Sequence, residues 1–269
     1  MTLYEKADLY KKKIDELRPF GEPLLSEIRE FYRIGLTWSS NALEGNTLTE
    51  SETKILLEDG LTVGGKPLRC TFEALGHSKA YDFMFSLMNT DKITEENILT
   101  LHKMFYSAID ENNAGIYRTK PVIISGSKYP VCNVGKIPDE MKKLVEWIET
   151  KRSQYHPIEF AALLHKRFVF IHPFIDGNGR IARLLMNAAL IQKGYLPTVI
   201  PPVQRLEYIH LLEEAHRNDE KFLSFIAEKV IDSETDFARL VHIELFQSNS
   251  SENTFGCSAD EDDSEEFEP

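Results

Sequence analysis

The chain has 269 residues, 42% apolar composition and a formal charge of −12 at pH 7. That is enough apolar side chain for one sizeable core with at most a small appended subdomain, and it describes a soluble globular protein. Eight acidic residues and no Lys or Arg lie between Ser248 and Pro269, leaving −4 on the rest of the chain, an ordinary surface balance that gives no electrostatic footprint for nucleic acid.

The N-terminal residues 2–18 carry apolar side chains at helical spacing (Leu3, Ala7, Tyr10, Ile14, Leu17), with Thr2 and Glu5 placed as a capping box. They lack the h-region of a signal peptide, and no run in the chain approaches the ~18 apolar residues of a membrane span. Cys70, Cys132 and Cys257 lie far apart without CxxC spacing, which argues against a zinc cage or a disulfide framework. A cytoplasmic protein that does not enter the membrane is the expectation.

A second helix is predicted from about Pro23 to Leu43, ending at Glu44-Gly45-Asn46. Thr49 and Glu52 form another capping-box pattern, opening a short helix to about Glu58, and GLTVGGKPL reads as a loop. Further helices are predicted over Phe72–Leu87 and from Thr94 to Ala108. Val122–Ile124 and Tyr129–Cys132 flank the turn-like Ser125-Gly126-Ser127-Lys128, and the expectation is a β-hairpin. Pro138 and Pro157 each suit the first turn of a helix, the second of which, running to Ile171, is apolar nearly all round and so is expected at the centre of the core. A helix then runs to Gly194, one or two more occupy about Gln204 to Phe246, and residues 248–269 have too little apolar content to offset their ordering entropy.

Chemistry concentrates in HPFIDGNGRIAR, His172 to Arg183. A neutral imidazole at a helix end is suited to take a proton from a hydroxyl near pH 7; a histidine capping that helix is the plainer reading. Asp176 is a hard oxygen ligand of the kind Mg²⁺ takes alongside phosphate oxygens, or else a carboxylate stabilised by a helix dipole. Gly177-Asn178-Gly179 lets backbone approach a ligand at a helix N-terminus, where N–H groups and dipole favour an anion. Arg180 and Arg183 sit three apart near that helix start, where cations are poorly placed unless an anion or solvent accounts for them. Phe174 reads as an anchor for the loop.

These twelve residues resemble the signature of the Fic-domain family, H-P-F-x-[D/E]-G-N-G-R-x-x-R, at every specified position, and the likeness extends over roughly residues 70 to 215. The resemblance implies an all-α Fic-type helical bundle with a small β-hairpin flap, and transfer of AMP from ATP to a Ser, Thr or Tyr hydroxyl of a protein target. It implies that His172 deprotonates that hydroxyl and that Asp176 holds Mg²⁺ on the α- and β-phosphates. Gly177, Asn178 and Gly179 would then form an anion hole, with Arg180 on the phosphates and Arg183 on the γ-phosphate. The flap, with Val122, Ile123 and Ile124, would align an extended target segment.

Upstream, Ser40-Asn41-Ala42-Leu43-Glu44-Gly45 is similar to the family's inhibitory pattern [S/T]-x-x-x-E-[G/N]. By that resemblance Glu44 pairs with Arg183 in the place of the γ-phosphate, and inhibition comes from the chain's own N-terminal helix. The implied division is an N-terminal helical region with the inhibitory motif (1–68), a catalytic core (69–215), C-terminal helices (216–247) and an acidic tail (248–269). Two alternatives stand beside it: a Fic enzyme that moves another phosphate-containing group, and a nucleotide-responsive binding protein. Self-modification and a homo-oligomer stay open.

Overall fold

The computed structural model describes residues 1–62, 64–90, 92–124 and 126–245. The acidic tail lies outside the described residues, as does Ser125 in the expected turn. Ten α-helices follow one another among the described residues: α1 (Leu3–Asp15), α2 (Glu22–Ala42), α3 (Glu50–Asp59), α4 (Leu68–Ser86), α5 (Glu95–Tyr106), α6 (Ile137–Lys151), α7 (Pro157–Ile171), α8 (Asn178–Ile191), α9 (Arg205–Glu214) and α10 (Glu220–Leu240). Local chemistry accounts for their starts. Thr2 with Glu5, Thr49 with Glu52 and Thr94 with Asn97 each close a reciprocal capping box, and Pro138 and Pro157 sit in the first turns of α6 and α7.

One contiguous apolar core draws on residues from Ala7 in α1 to Phe237 in α10. Its axis is α8, with α7, α4, α2 and α5 packed around it. Every residue of α8 except Gly179 is buried, polar ones included. The central position expected for α7 therefore belongs to α8, because α7 buries Ile158 and the run from Phe160 to His165 and then turns Arg167 outward. Arg180 and Arg183, each 3% exposed, are not surface cations solvated by water. Within α2, Trp38 lines a surface cleft of about 450 Å³ with Phe31, Pro201 and Val203.

The hairpin expected over 120–134 is not formed: no strand occurs among the described residues. Ser127 N–H donates to the Ile124 carbonyl, so the turn exists without a ladder behind it. Residues 121–124 and 126–130 alternate between exposed and half-buried, the period-two signal that reads as a strand. Pro121 and Pro130 carry no N–H to donate across a ladder, and Ile124 and Tyr129 face Ile209 and Leu212 of α9 instead of a partner strand.

Helices α4 and α5 approach so closely that a Cβ added at Gly76 would stand 2.1 Å from the Phe105 carbonyl oxygen. Gly76→Ala forces the two apart and is expected to cost about 2–3 kcal/mol. Gly35→Ala in α2, where nothing lies within 4 Å of the added Cβ, is expected to gain about 1 kcal/mol. Urea unfolding of the two variants measures both.

Candidate active site

The site is built where α7 stops and α8 starts. His172 caps α7 in the left-handed region (φ 53°, ψ 59°), an unusual conformation for a residue with a side chain. Arg118, itself 4% exposed, holds it there: its Nε donates to the His172 carbonyl at 2.8 Å, and its other nitrogens donate to the carbonyls of Lys120 and Cys132, at either end of the flap loop. The His172 Nδ1 lies 3.3 Å from the Val169 carbonyl. A carbonyl only accepts, so Nδ1 carries the proton and Nε2 keeps its lone pair. Burial holds the imidazole below the ordinary 6.5, so it is neutral at pH 7.

Between the helices the loop is clasped by its own side chains. Asn178 Oδ1 accepts from Phe174 N–H and Asn178 Nδ2 donates to the Phe174 carbonyl, both at 2.9 Å. The Phe174 ring stacks on His102 at 3.7 Å and 2°, and His102 Nε2 lies 3.1 Å from the Asp176 carbonyl. Gly177 has φ 79°, and a Cβ there would meet the Phe105 ring at 2.7 Å, so glycine is required on both counts. The Asn178 amide is thus committed to loop geometry, and what faces outward is backbone: the first N–H groups of α8, which have no intrahelical acceptor.

Glu44 occupies that helix start. A Cβ at Gly179 would stand 2.2 Å from Glu44 Oε1, and the same oxygen accepts from Arg183 at 2.8 Å. The rest of the Arg183 fork is filled by Ser40 Oγ at 2.9 Å, the Ser40 carbonyl at 2.8 Å and Tyr208 OH at 3.3 Å. Burial pushes the Glu44 carboxyl up, but Arg183 and Arg180 outweigh it and hold it below the ordinary 4.5. Arg180 lies 4.6 Å over the Phe105 ring and pairs with Glu73 at 3.2 Å and Asp176 at 3.1 Å. A cavity of about 210 Å³ opens in front, lined by Glu44, His172, Gly179, Arg205 and Tyr208, with Ile124 and Tyr129 of the flap loop opposite.

His172, Asp176, Gly177, Asn178, Gly179, Arg180, Arg183, Ser40 and Glu44 are therefore drawn together at one helix end. Of the flap residues, Ile124 reaches the cavity while Ile123 is 95% exposed and away from it. Among the described residues no cluster of three or more His, Cys, Asp or Glu forms a metal cage; Asp176, with 37% of its side chain open, pairs with Arg180 and Arg69. Sequence reasoning missed Arg118, His102, Glu73 and Arg69. Arg69 and Glu73 show only the ordinary four-residue spacing of an ion pair on α4, Arg118 and His102 show no local pattern, and tertiary packing brings all four to the site. Tyr208 packs in the core, and its OH pairs with His165 Nε2 at 2.8 Å.

Bundle and site together define an all-α protein whose central helix begins at an anion seat taken by the chain's own carboxylate. Residues 92–190 match the Fic/DOC family. A protein adenylyltransferase Fic from Nematostella vectensis is 34% identical over 242 residues, covering 86% of this chain and 55% of the relative. A solved Fic-1 structure from C. elegans is similar with a TM-score of 0.79 at 30% identity, covering 89% of this chain and 72% of that one. A Fic-domain signalling protein from Bacteroides thetaiotaomicron gives 0.81 at 27% identity, covering 89% and 99%. The chain belongs to the Fic/DOC family. It spans about half the length of the curated relatives it matches, 39% to 55%.

Three neutral histidines surround the two arginines. Burial holds His77 and His165 at about 3 and His102 at about 4, against an ordinary 6.5. The unfolded chain takes up protons that the native state refuses, so this stability is complete above about pH 6.5. It falls below that pH by about 1.4 kcal/mol per unit for each histidine. Unfolding free energy measured in urea at pH 7 and pH 5 is expected to drop, and His77→Gln is expected to remove about 2 kcal/mol of the drop.

Proposed function

We propose that this protein transfers AMP from ATP to a Ser, Thr or Tyr hydroxyl of a protein, and that Glu44 restrains the reaction from within the chain. One observation carries the reading. The Glu44 carboxylate sits over Gly179 on the Arg183 fork, in a cavity that also holds His172. A carboxylate there imitates a phosphate, and the relatives' name, adenylyltransferase, says which phosphate compound such a seat serves in them.

In this reading the target hydroxyl gives its proton to His172 Nε2 as its oxygen bonds to the α-phosphorus. The bond from that phosphorus to the bridging oxygen breaks, and pyrophosphate leaves. The opening N–H groups of α8, at Asn178 and Gly179, brought to the phosphates by the turn at Gly177, and the Arg180 guanidinium stabilise the charge on the phosphates. Arg183 takes the γ-phosphate once Glu44 has left it, still oriented by Ser40. Asp176 fits Mg²⁺, which takes one or two carboxylates with substrate phosphates and waters; when bound, the ion neutralises the α- and β-phosphates. The flap loop, with Val122, Ile123 and Ile124, lacks a strand partner and offers its backbone to an extended target segment. Residues 1–68 then act as the regulatory region and 69–215 as the catalytic core.

Arg183 bound to Glu44 is a charge-assisted contact of about 1.5–3 kcal/mol, so Glu44→Gly is expected to raise incorporation of labelled AMP about ten- to a hundredfold. Adding His172→Ala to that variant is expected to remove it, by a factor of about 10² to 10⁴. Unchanged labelling in Glu44→Gly sinks the inhibition; ATP binding without any labelling sinks the transfer. A separate check follows from protonation. Because burial lowers the His172 pKa from its ordinary 6.5, the Glu44→Gly rate is expected to fall on the acid side with its midpoint below pH 6.5.

A further inference from the structure

Asp176 has two oxygens, and they are not equivalent. Oδ1 accepts from Gly177 N–H at 2.6 Å and from Arg180 at 3.1 Å, and Arg180 cannot move away, being 4% exposed and stacked on Phe105. Oδ2 accepts from Arg69 NH2 at 2.5 Å. Arg69 is the second residue of α4 and its side chain is 55% exposed. A cation there opposes the helix dipole, so its position is explained by its partners: Asp176, and Glu73 Oε1 at 3.0 Å. Glu73 is buried and also accepts from Asn46 Nδ2 at 3.0 Å, so it stays in place whatever Arg69 does.

We propose that Arg69 is a gate on the metal carboxylate: its guanidinium fills the coordination face of Asp176 Oδ2, and a divalent cation binds there only by displacing it onto Glu73. This deepens the proposed function and rests on its assignment of Asp176 to Mg²⁺. Oδ2 is held by an exposed side chain, whereas Oδ1 is held by buried Arg180. The existing salt bridge from Arg69 Nε to Glu73 keeps that side chain paired, so the gate opens without stranding a charge. Displacing a partly exposed ion pair costs up to about 1 kcal/mol, which weakens metal-assisted nucleotide binding severalfold and makes the protein respond to divalent cation at higher concentration than the carboxylate alone would require.

The test uses the full chain carrying Glu44→Gly and measures the affinity for a non-hydrolysable ATP analogue by calorimetry, once with Mg²⁺ and once with EDTA. The ratio of the two affinities reads the metal. Arg69→Gln is expected to raise that ratio about two- to fivefold, and Arg69→Lys, which keeps the charge but loses the fork, is expected to fall between. A ratio unchanged or lowered in Arg69→Gln, while Asp176→Asn abolishes it, overturns the gate and leaves the proposed function standing. A ratio indifferent to Asp176→Asn removes the metal assignment, and the gate with it. Thermal unfolding of each variant confirms that the exposed substitution leaves the fold in place.

Discussion

The constraint on which the rest depends is a guanidinium buried at the start of a buried helix. Arg183 is 3% exposed, and at the positive end of α8 the dipole adds to the cost of its charge. Burial drags its pKa down, and only Tyr208 and Glu44 bring it back above its ordinary value. Four acceptor contacts fill its fork, and three of them come from two residues of one segment, Ser40 and Glu44. The docking of α2 against the bundle and the occupation of the anion seat are therefore one set of bonds. Releasing the carboxylate uncovers a cation that must find another anion at once.

Around that charge the protein has arranged groups that do not add to it. His77, His102 and His165 are neutral where a proton on any would repel the two arginines. The loop between α7 and α8 is fixed by contacts that do not use its outward face: the amide clasp of Asn178 on Phe174, the ring stack with His102 and the grip of Arg118 on the His172 carbonyl. Geometry is held from behind, and the front keeps backbone N–H groups and one lone pair. Transfer of a phosphorus-centred group asks for positioning and charge compensation more than for covalent assistance, which is what such an arrangement supplies.

Much of this was legible in the chain because its signals are local. Capping pairs at Thr2 and Glu5 and at Thr49 and Glu52 are three residues apart, and prolines mark the starts of α6 and α7, so helix boundaries follow from neighbours. His172 to Arg183 are contiguous, and the likeness to a family pattern led to Glu44, which no spacing rule joins to Arg183. The hairpin went the other way: Val122 to Ile124 have the composition of a strand, but a ladder needs a partner whose N–H groups are available, and that is a property of the pair. Arg69, Glu73, His102 and Arg118 stayed hidden for a related reason. Each is unremarkable on its own helix or loop and acquires its role only across helices.

The helix that leads into Glu44, α2, carries Trp38, one of two tryptophans in the chain. The other, Trp147, stacks on Phe160 within the bundle at 4.9 Å and 7°, under the Arg167 guanidinium. Trp38 instead borders a surface cleft made with the segment around Pro201, where a shift of α2 alters its contact with water. In the proposed reading, a shift of the segment that ends in Glu44 changes the surroundings of Trp38 and not the stack of Trp147, so release of the carboxylate is followed by the colour of the light the protein emits.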